Sequence, residues 1–260
     1  MNYRHAYHAG NFGDVLKHVA LVAILEHLGR KPAPYFFLDS HAGSGSYPLT
    51  APETARAGEY RDGILRLLGA PGPPPAAARY LELVGELGGE DDLLVAYPGS
   101  PQIALALLRP DDRAAFCELE PREAAALRAL VRRDGRAAVH GRDGYEALTA
   151  LLPPREKRGL VLIDPSYEAV DEFEQLELSL TAAAGRWLAR MAATGIRSQL
   201  AVELTVERDD LPGGLNGAGL LLVNPPYQLD ERLAATLPWL HRLLAAPGRG
   251  RWRVSWQVPE

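Results

Sequence analysis

Four acidic residues of this chain each follow a short apolar run and precede a turn. Asp39 stands in LDSHAGSG, Glu118 in FCELEP, Asp143 in HGRDGYEAL and Asp164 in LIDPSYE. The carboxyl ends of parallel strands meet at one edge of a sheet, where open α/β proteins bind their ligands. Carboxylates there can hold the hydroxyl and amino groups of a nucleoside, so this order of motifs predicts a nucleotide-like cofactor.

The first of these stretches is also a glycine-rich turn. Gly43 and Gly45 allow the backbone to approach a ligand closely. A dinucleotide fingerprint needs a third glycine at position 48, which is Pro48, and this disfavours a nicotinamide cofactor. Taken alone, the turn also fits a plain connection between a strand and a helix.

Ser100 extends the predicted cofactor site, and two of the acids have specific expected roles. In YPGSPQIALALL (97–108), Ser100 is the expected N-cap of a helix whose free N–H groups face the pocket. Glu118 is expected to hold the ribose hydroxyls, and Asp143 to accept a hydrogen bond from the adenine amine. The alternative for Glu118 is a solvated acid at the end of a strand.

The amino-terminal segment YRHAYHAGNFGDVLKH (3–18) has an unusual composition, with three histidines and two tyrosines. Planar rings mixed with hydrogen-bond donors are typical of single-stranded RNA recognition. The alternative is an aromatic arm packed on the core. A zinc site at His5, His8 and His18 is disfavoured, because no cysteine lies nearby and no H-E-x-x-H helix is present. We expect His41, inside the glycine turn, to be functional.

Helical and strand-like patterns alternate along the chain, which indicates an α/β fold with a mostly parallel sheet. DVLKHVALVAILEHLGR (14–30) predicts a buried helix with Asp14 as its N-cap. Residues 49–92 have a helical pattern without a strand-like run, so we expect a small helical subdomain inserted there. Residues 1–48 and 93–260 then form the main domain. Strands are predicted within 34–47, 114–121, 137–140, 159–165, 198–204, 219–226 and 251–258.

Composition limits the class of protein. The 260 residues carry a net charge of −5, which argues against a general nucleic-acid binder but leaves room for a local basic face. The single cysteine, Cys117, excludes an internal disulfide framework and suits a reducing cytoplasm. The amino terminus does not resemble a signal peptide, and no apolar run approaches the ~20 residues that span a bilayer. We expect a cytoplasmic protein, without membrane or metal, that is a monomer.

The motifs together resemble a known family. DSHAGSG, CELEP, RDGYEAL and DPSY follow the order of the motifs of class I S-adenosylmethionine-dependent methyltransferases, with a Rossmann-like fold. YRHAYHAGNFGDVLKH, LDSHAGSGSY, YPGSP, LIDPSYE and LPWLHRL…VSWQVPE resemble the bacterial 23S ribosomal RNA adenine-N6 methyltransferase J family over nearly the whole chain. The resemblance implies S-adenosylmethionine as cofactor, 23S ribosomal RNA as partner, a catalytic Asp164 and an RNA-contacting Tyr3. It implies cofactor contacts at His18, His41, Ser100, Glu118, Asp143, Gly144 and Asp164.

The DPSY motif suggests how a planar amine is held. Asp164 can accept one N6 hydrogen of adenine and the carbonyl of Pro165 the other, while Tyr167 stacks on a base rotated out of its helix. The family pattern has a second proline where this chain has Ser166. The family also has a strand between this motif and TGIRSQL, where DEFEQLELSLTAAAGRWLARMAATG has a helical pattern.

Rival functions remain open at this point. A nicotinamide-dependent oxidoreductase explains the glycine turn and Glu118, but not DPSY or the amino-terminal arm. A non-catalytic RNA-binding module explains the arm, but not four cofactor motifs in order. DNA adenine and a protein glutamine amide are other planar amines that a D/N-P-P-Y type of motif serves.

A second match to that signature, NPPY at 224–227, is not expected to be the catalytic motif. The connection TVERDDLPGGLNGAG between the two preceding strands is polar and rich in glycine, without a helical pattern. Parallel strands need a crossover, so this connection predicts an antiparallel pair. Asn224 would then lie at the edge of the sheet opposite the ligand.

Overall fold

The computed structural model describes residues 5–165, 197–207 and 216–259. Their centre is a parallel sheet in the order β7-β6-β1-β8. Its strands are β1 (Phe36–Asp39), β6 (Arg113–Cys117), β7 (Ala137–His140) and β8 (Gly159–Leu162). The pairs β1–β6, β1–β8 and β6–β7 are all parallel. The α/β expectation with a mostly parallel sheet is confirmed.

Helices follow two strands of this sheet and return the chain to the start of the next strand. β6 leads into α6 (Pro121–Val131), and β7 leads into α7 (Gly144–Leu151). Because all four strands run in the same direction, their carboxyl ends share one edge. The topology therefore places the residues that follow Leu38, Phe116, Val139 and Val161 beside one another.

The first helix, α1 (Phe12–Gly29), forms much of the core. It is buried over most of its surface between Val15 and Leu25, as the wide apolar pattern predicts. Its predicted N-cap is wrong. Asn11 caps the helix with a side chain that accepts from the Asp14 amide, which leaves the Asp14 carboxylate for other partners.

Between β1 and β6 lie several short elements and one longer helix. Tyr80, Leu83 and Val84 of the longer helix, α4, belong to the same hydrophobic core cluster as α1. The assignment of 49–92 as a separate subdomain stays a prediction, and the short strand β3 within it is not indicated by the sequence. The elements are β2 (Ser46–Pro48), α2 (Pro52–Ala57), α3 (Ile64–Leu67), α4 (Pro75–Gly88), β3 (Gly89–Glu90), β4 (Leu93–Leu94), β5 (Ala96–Pro98) and α5 (Ser100–Leu107).

A second, antiparallel sheet completes the described part of the chain. β9 (Gln199–Thr205) lies between β10 (Gly217–Val223) and β11 (Arg251–Val258), antiparallel to both. The predicted antiparallel pairing before NPPY is thus confirmed. α8 (Leu229–Leu244) packs beside it, and Arg232 of this helix donates to the carbonyl of Ala23 on α1. No helix among the described residues is long and apolar enough to cross a membrane.

Candidate cofactor and active site

A cavity of about 540 Å³ opens at the carboxyl edge of the parallel sheet. Pro165 is buried beside Asp164 and is not part of the cavity lining. The predicted RNA contacts Tyr3 and Tyr167 lie outside the described residues, as do Ser166 and the segment of the predicted missing strand. The cavity brings together the seven residues expected to bind the cofactor: His18, His41, Ser100, Glu118, Asp143, Gly144 and Asp164.

The glycine turn fixes the carboxylate of Glu118. Gly43 has φ +62° and Gly45 has φ +81°, backbone conformations that residues with a side chain rarely adopt. The Gly43 amide donates to Oε2 of Glu118 at 2.8 Å, and the Glu120 amide donates to Oε1 at 2.8 Å. Each carboxylate oxygen keeps a further lone pair for a ligand. Glu118 is thus oriented, rather than being a freely solvated acid.

Asp143 and Gly144 form the start of α7 at the cavity wall. Asp143 is the N-cap, and its Oδ1 accepts from the amides of Tyr145 and Glu146. A Cβ on Gly144 would lie 2.2 Å from the carbonyl oxygen of Ser40. Only glycine allows the helix to start this close to the end of β1.

The hydroxyl of Ser100 binds a carboxylate instead of capping a helix, so its expected role as N-cap is wrong. Gly99 is the N-cap of α5, and Ser100 Oγ donates to Oδ2 of Asp39 at 2.6 Å. Asp39 is fully buried and also accepts from the His41 amide at 3.2 Å. Burial raises the pKa of Asp39 to about 6.

An ion-pair cluster holds Asp164 in place. Lys17 Nζ donates to Oδ2 of Asp164 at 2.6 Å and lies 2.8 Å from Oδ1 of Asp14. The side chains of Lys17 and Asp14 are 10% and 2% exposed, whereas that of Asp164 is 34% exposed. Asp14 also binds His5 Nε2 at 3.1 Å and the Gly10 amide at 2.9 Å. The amino-terminal segment and α1 are therefore joined to the end of β8.

Electrostatics keep this cluster charged. Burial alone would lower the pKa of Lys17, but Asp14 and Asp164 outweigh it and hold the pKa well above its usual value. Burial would likewise raise the pKa of Asp164, but the Lys17 ammonium outweighs it and lowers the pKa. Asp164 is consequently an ionised hydrogen-bond acceptor at neutral pH.

His18 is a buried neutral imidazole in the wall of the cavity. Its Nδ1 lies 2.7 Å from the hydroxyl of Tyr97, and its Nε2 has no hydrogen-bond partner among the described residues. Burial lowers the pKa of His18 to about 3. His41 also lines the cavity, where its Nδ1 is 2.8 Å from Ser40 Oγ and its ring packs edge-on to Tyr145.

Two of the three histidines of the amino-terminal segment, His5 and His8, have acidic partners. His5 binds Asp14, whereas His8 Nδ1 lies 3.0 Å from Oε1 of Glu59. In the described ranges, no three His, Cys, Asp or Glu side chains are grouped so that they could hold a metal ion. The histidines disfavoured as a zinc site thus have three separate environments.

The NPPY segment lies away from the cavity. A Cβ on Gly13, at the start of α1, would be 3.7 Å from Cβ of Ala218, so β10 begins beside the ion-pair cluster. Its seven residues carry the chain about 20 Å further, at ~3.3 Å per residue, before Asn224 is reached. Asn224 is exposed and absent from the cavity lining, and its amide donates to the Ser198 carbonyl.

Lys17 lines the cavity, and the buried Asp14 and Asp39 hold Lys17 and Ser100 of its lining; the sequence did not reveal these roles. Asp39 carried one signal, since it ends a buried strand before a glycine turn. Asp14 precedes an apolar helical pattern, and this favoured a cap. Nothing local to Lys17 indicates a partner 147 positions away.

Comparisons with known proteins identify the family of the chain. The family model described as "Ribosomal RNA large subunit methyltransferase D, RlmJ" matches residues 32–191 and 180–258. Two proteins named ribosomal RNA large subunit methyltransferase J align over 280 positions, covering 100% of this chain and of each relative. The protein of Haemophilus influenzae is 37% identical and that of Escherichia coli K12 is 38% identical.

A solved structure shows the same architecture. The crystal structure of a protein from Legionella pneumophila strain Philadelphia 1 superposes with a TM-score of 0.87 and is 31% identical. It covers 96% of this chain and 98% of its own. The Rossmann-like class I methyltransferase fold is confirmed. By its full-length identity and its matched family model, the chain belongs to the ribosomal RNA large subunit methyltransferase J family.

Proposed function

We propose that this chain transfers a methyl group from S-adenosylmethionine to the N6 amine of an adenine in 23S ribosomal RNA. The observation that carries the proposal is Asp164, an ionised acceptor held by Lys17 at the rim of a cavity whose other walls suit a nucleoside. The names of the two curated relatives support a large-subunit ribosomal RNA as substrate. A substrate of this kind supports a cytoplasmic enzyme, and the monomeric state stays a prediction.

The cavity residues fit S-adenosylmethionine, which supplies an electrophilic methyl group when bound. Glu118, with both oxygens fixed by backbone amides, is proposed to bind the two ribose hydroxyls. Asp143 is proposed to accept a hydrogen bond from the adenine amine, while Gly144 leaves room for the ring. The unpartnered Nε2 of His18 is a buried polar atom that a ligand can satisfy. Ser100 and His41 complete the same wall.

Asp164 and Pro165 are proposed to hold the target amine. The lone pair of adenine N6 is delocalised into the ring, so the amine is a poor nucleophile. Asp164 accepts one N6 hydrogen and the Pro165 carbonyl the other, which favours a pyramidal nitrogen. Orienting a nucleophile in this way is worth up to ~7–11 kcal/mol in ideal cases.

Proton removal does not require a strong base. The methylated ammonium is itself acidic and loses its proton readily, so an Asp164 with a lowered pKa is adequate. Its task is to accept hydrogen bonds and to stabilise the developing positive charge. Tyr3 and Tyr167, both outside the described residues, stay predicted RNA contacts.

Methyl transfer to three substrate classes tests the proposal. The full chain is incubated with methyl-labelled S-adenosylmethionine and, separately, with unmodified 23S ribosomal RNA, DNA or protein extract. We expect label only in the RNA, released on nuclease digestion as N6-methyladenosine. Label in DNA adenine or in glutamine, with none in RNA, would reject the proposal.

A further inference from the structure

A buried chain of three polar groups connects α4 with the cavity. Tyr80 on α4, Tyr97 on β5 and His18 on α1 are each 0% exposed. The hydroxyls of Tyr80 and Tyr97 are 3.0 Å apart, and Tyr97 Oη is 2.7 Å from Nδ1 of His18. The chain of hydrogen bonds therefore ends at a residue of the cofactor site.

Each member of this chain carries one hydrogen to place. Burial raises the pKa of both phenols above the usual value, so both stay protonated. Burial also keeps His18 neutral, with a hydrogen on one ring nitrogen only. For the Tyr80 hydroxyl, the hydroxyl of Tyr97 is the one hydrogen-bond partner within the described residues.

The donor–acceptor direction of the Tyr80–Tyr97–His18 hydrogen bonds follows from giving each hydrogen an acceptor. If Tyr80 donates to Tyr97 and Tyr97 donates to Nδ1, both phenolic hydrogens are bonded and His18 carries its hydrogen on Nε2. If the chain runs the other way, the Tyr80 hydrogen is buried without an acceptor. The forward direction leaves its one unbonded hydrogen on Nε2 of His18, a residue of the cavity wall. Once a ligand accepts that hydrogen, the reverse direction is disfavoured by roughly tenfold or more.

We propose that Tyr97, supported by Tyr80, holds His18 as the Nε2–H tautomer, and that this hydrogen is donated to the carboxylate at the amino-acid end of the cofactor. The ligand half of this inference rests on the proposed function. Tyr97 is the first residue of the YPGSP motif and acts as a positioning residue, through His18.

The composition of the cavity favours a carboxylate as the acceptor. Five of the nineteen lining residues are acidic and can serve the hydroxyl and amino groups of the ligand. Two side-chain donors of the lining are engaged, because Lys17 binds Asp14 and Asp164, and Ser100 donates to Asp39. Arg122 also lines the cavity, but its side chain is exposed, whereas His18 is buried. The free Nε2–H of His18 is then matched to the strongest acceptor that such a ligand carries, its carboxylate.

The tautomer is measured directly by ¹⁵N NMR of histidine-labelled full-length chain, with His18 assigned through the spectrum of His18→Gln. We expect wild-type His18 to carry its hydrogen on Nε2 when S-adenosylhomocysteine is bound. Tyr97→Phe should populate the Nδ1–H form, while Tyr80→Phe should retain the Nε2–H form. Tyr35→Phe is the matched control, because Tyr35 is equally buried and its hydroxyl donates to the Leu107 carbonyl instead.

Affinity for S-adenosylhomocysteine and for its decarboxylated analogue tests whether His18 donates to the carboxylate of the cofactor. We expect Tyr97→Phe to bind S-adenosylhomocysteine about tenfold more weakly and to bind the decarboxylated analogue as wild type does. Equal losses for both ligands would overturn the carboxylate assignment. Wild-type His18 with its hydrogen on Nδ1 would overturn the tautomer assignment, whether or not Tyr97→Phe folds. A wild-type chain that binds neither ligand would overturn the proposed function together with the ligand half.

Discussion

Replacing Lys17 with methionine tests the ion-pair cluster that holds Asp164. The substitution keeps an unbranched side chain that is one atom shorter, and it removes the charge that lies 2.6 Å from Asp164 and 2.8 Å from Asp14. Removing one member of a buried ion pair costs about 3–5 kcal/mol, because a charge is left unpaired. Asp14 keeps His5 and the Gly10 amide, and Asp164 is a third exposed. We therefore expect a loss at the low end, about 3 kcal/mol in the free energy of unfolding.

The same substitution changes the pH dependence of catalysis. Lys17 lowers the pKa of Asp164, so its removal raises that pKa and moves the acid limb of the pH–rate profile to higher pH. Urea unfolding and single-turnover methyl transfer measure the two effects. Lys31→Met is the control on an exposed lysine and should change stability by less than about 0.5 kcal/mol. A Lys17→Met chain with wild-type stability and an unmoved acid limb would refute the reasoning.

Three other substitutions give separate tests. The pKa of Asp39 is raised in the folded chain, so the folded state holds a proton on Asp39 at pH values where the unfolded state has lost it. The contribution of Asp39 to the free energy of unfolding therefore falls as pH rises from ~4 to about 6. Asp39→Asn should remove that part of the pH dependence in urea melts, and an unchanged slope would contradict the assignment. Gly144→Ala brings a Cβ within 2.2 Å of the Ser40 carbonyl oxygen and so displaces the start of the helix at the cavity wall. Calorimetry should show cofactor affinity lowered at least tenfold, in addition to any loss of stability. A variant with wild-type affinity would show that Gly144 is not part of the site. Ser166→Pro keeps the Pro165 carbonyl and should leave the methyl-transfer rate equal or modestly higher, whereas a large loss would mean that the loop follows another path.

The strand ends were predictable because their patterns are strong and the sheet is parallel. Once β1, β6, β7 and β8 are recognised, the acids at 39, 118, 143 and 164 must meet at one edge. The antiparallel pairing of β9 and β10 followed in the same way, from a connection without a helix.

Two caps were mispredicted because another group competed for the side chain. Asn11 caps α1 and releases Asp14 to bind Lys17, and a buried Asp39 draws the hydroxyl of Ser100 away from the end of α5. The first outcome is local, because Asn11 lies three residues before Asp14, whereas the second depends on a contact between residues 61 positions apart, Ser100 and Asp39. Local helix signals carry no information about such contacts.

The rate of methyl transfer to 23S ribosomal RNA by Asp164→Ala, beside Asn224→Ala and wild type at saturating S-adenosylmethionine, tests the central claim most directly. Loss of an oriented acceptor should lower the Asp164→Ala rate by at least ~10²-fold, about 3 kcal/mol in the barrier. Asn224 is exposed and distant from the cavity, so Asn224→Ala should retain the wild-type rate. An active Asp164→Ala chain beside a folded but inactive Asn224→Ala chain would contradict the assignment of the active site.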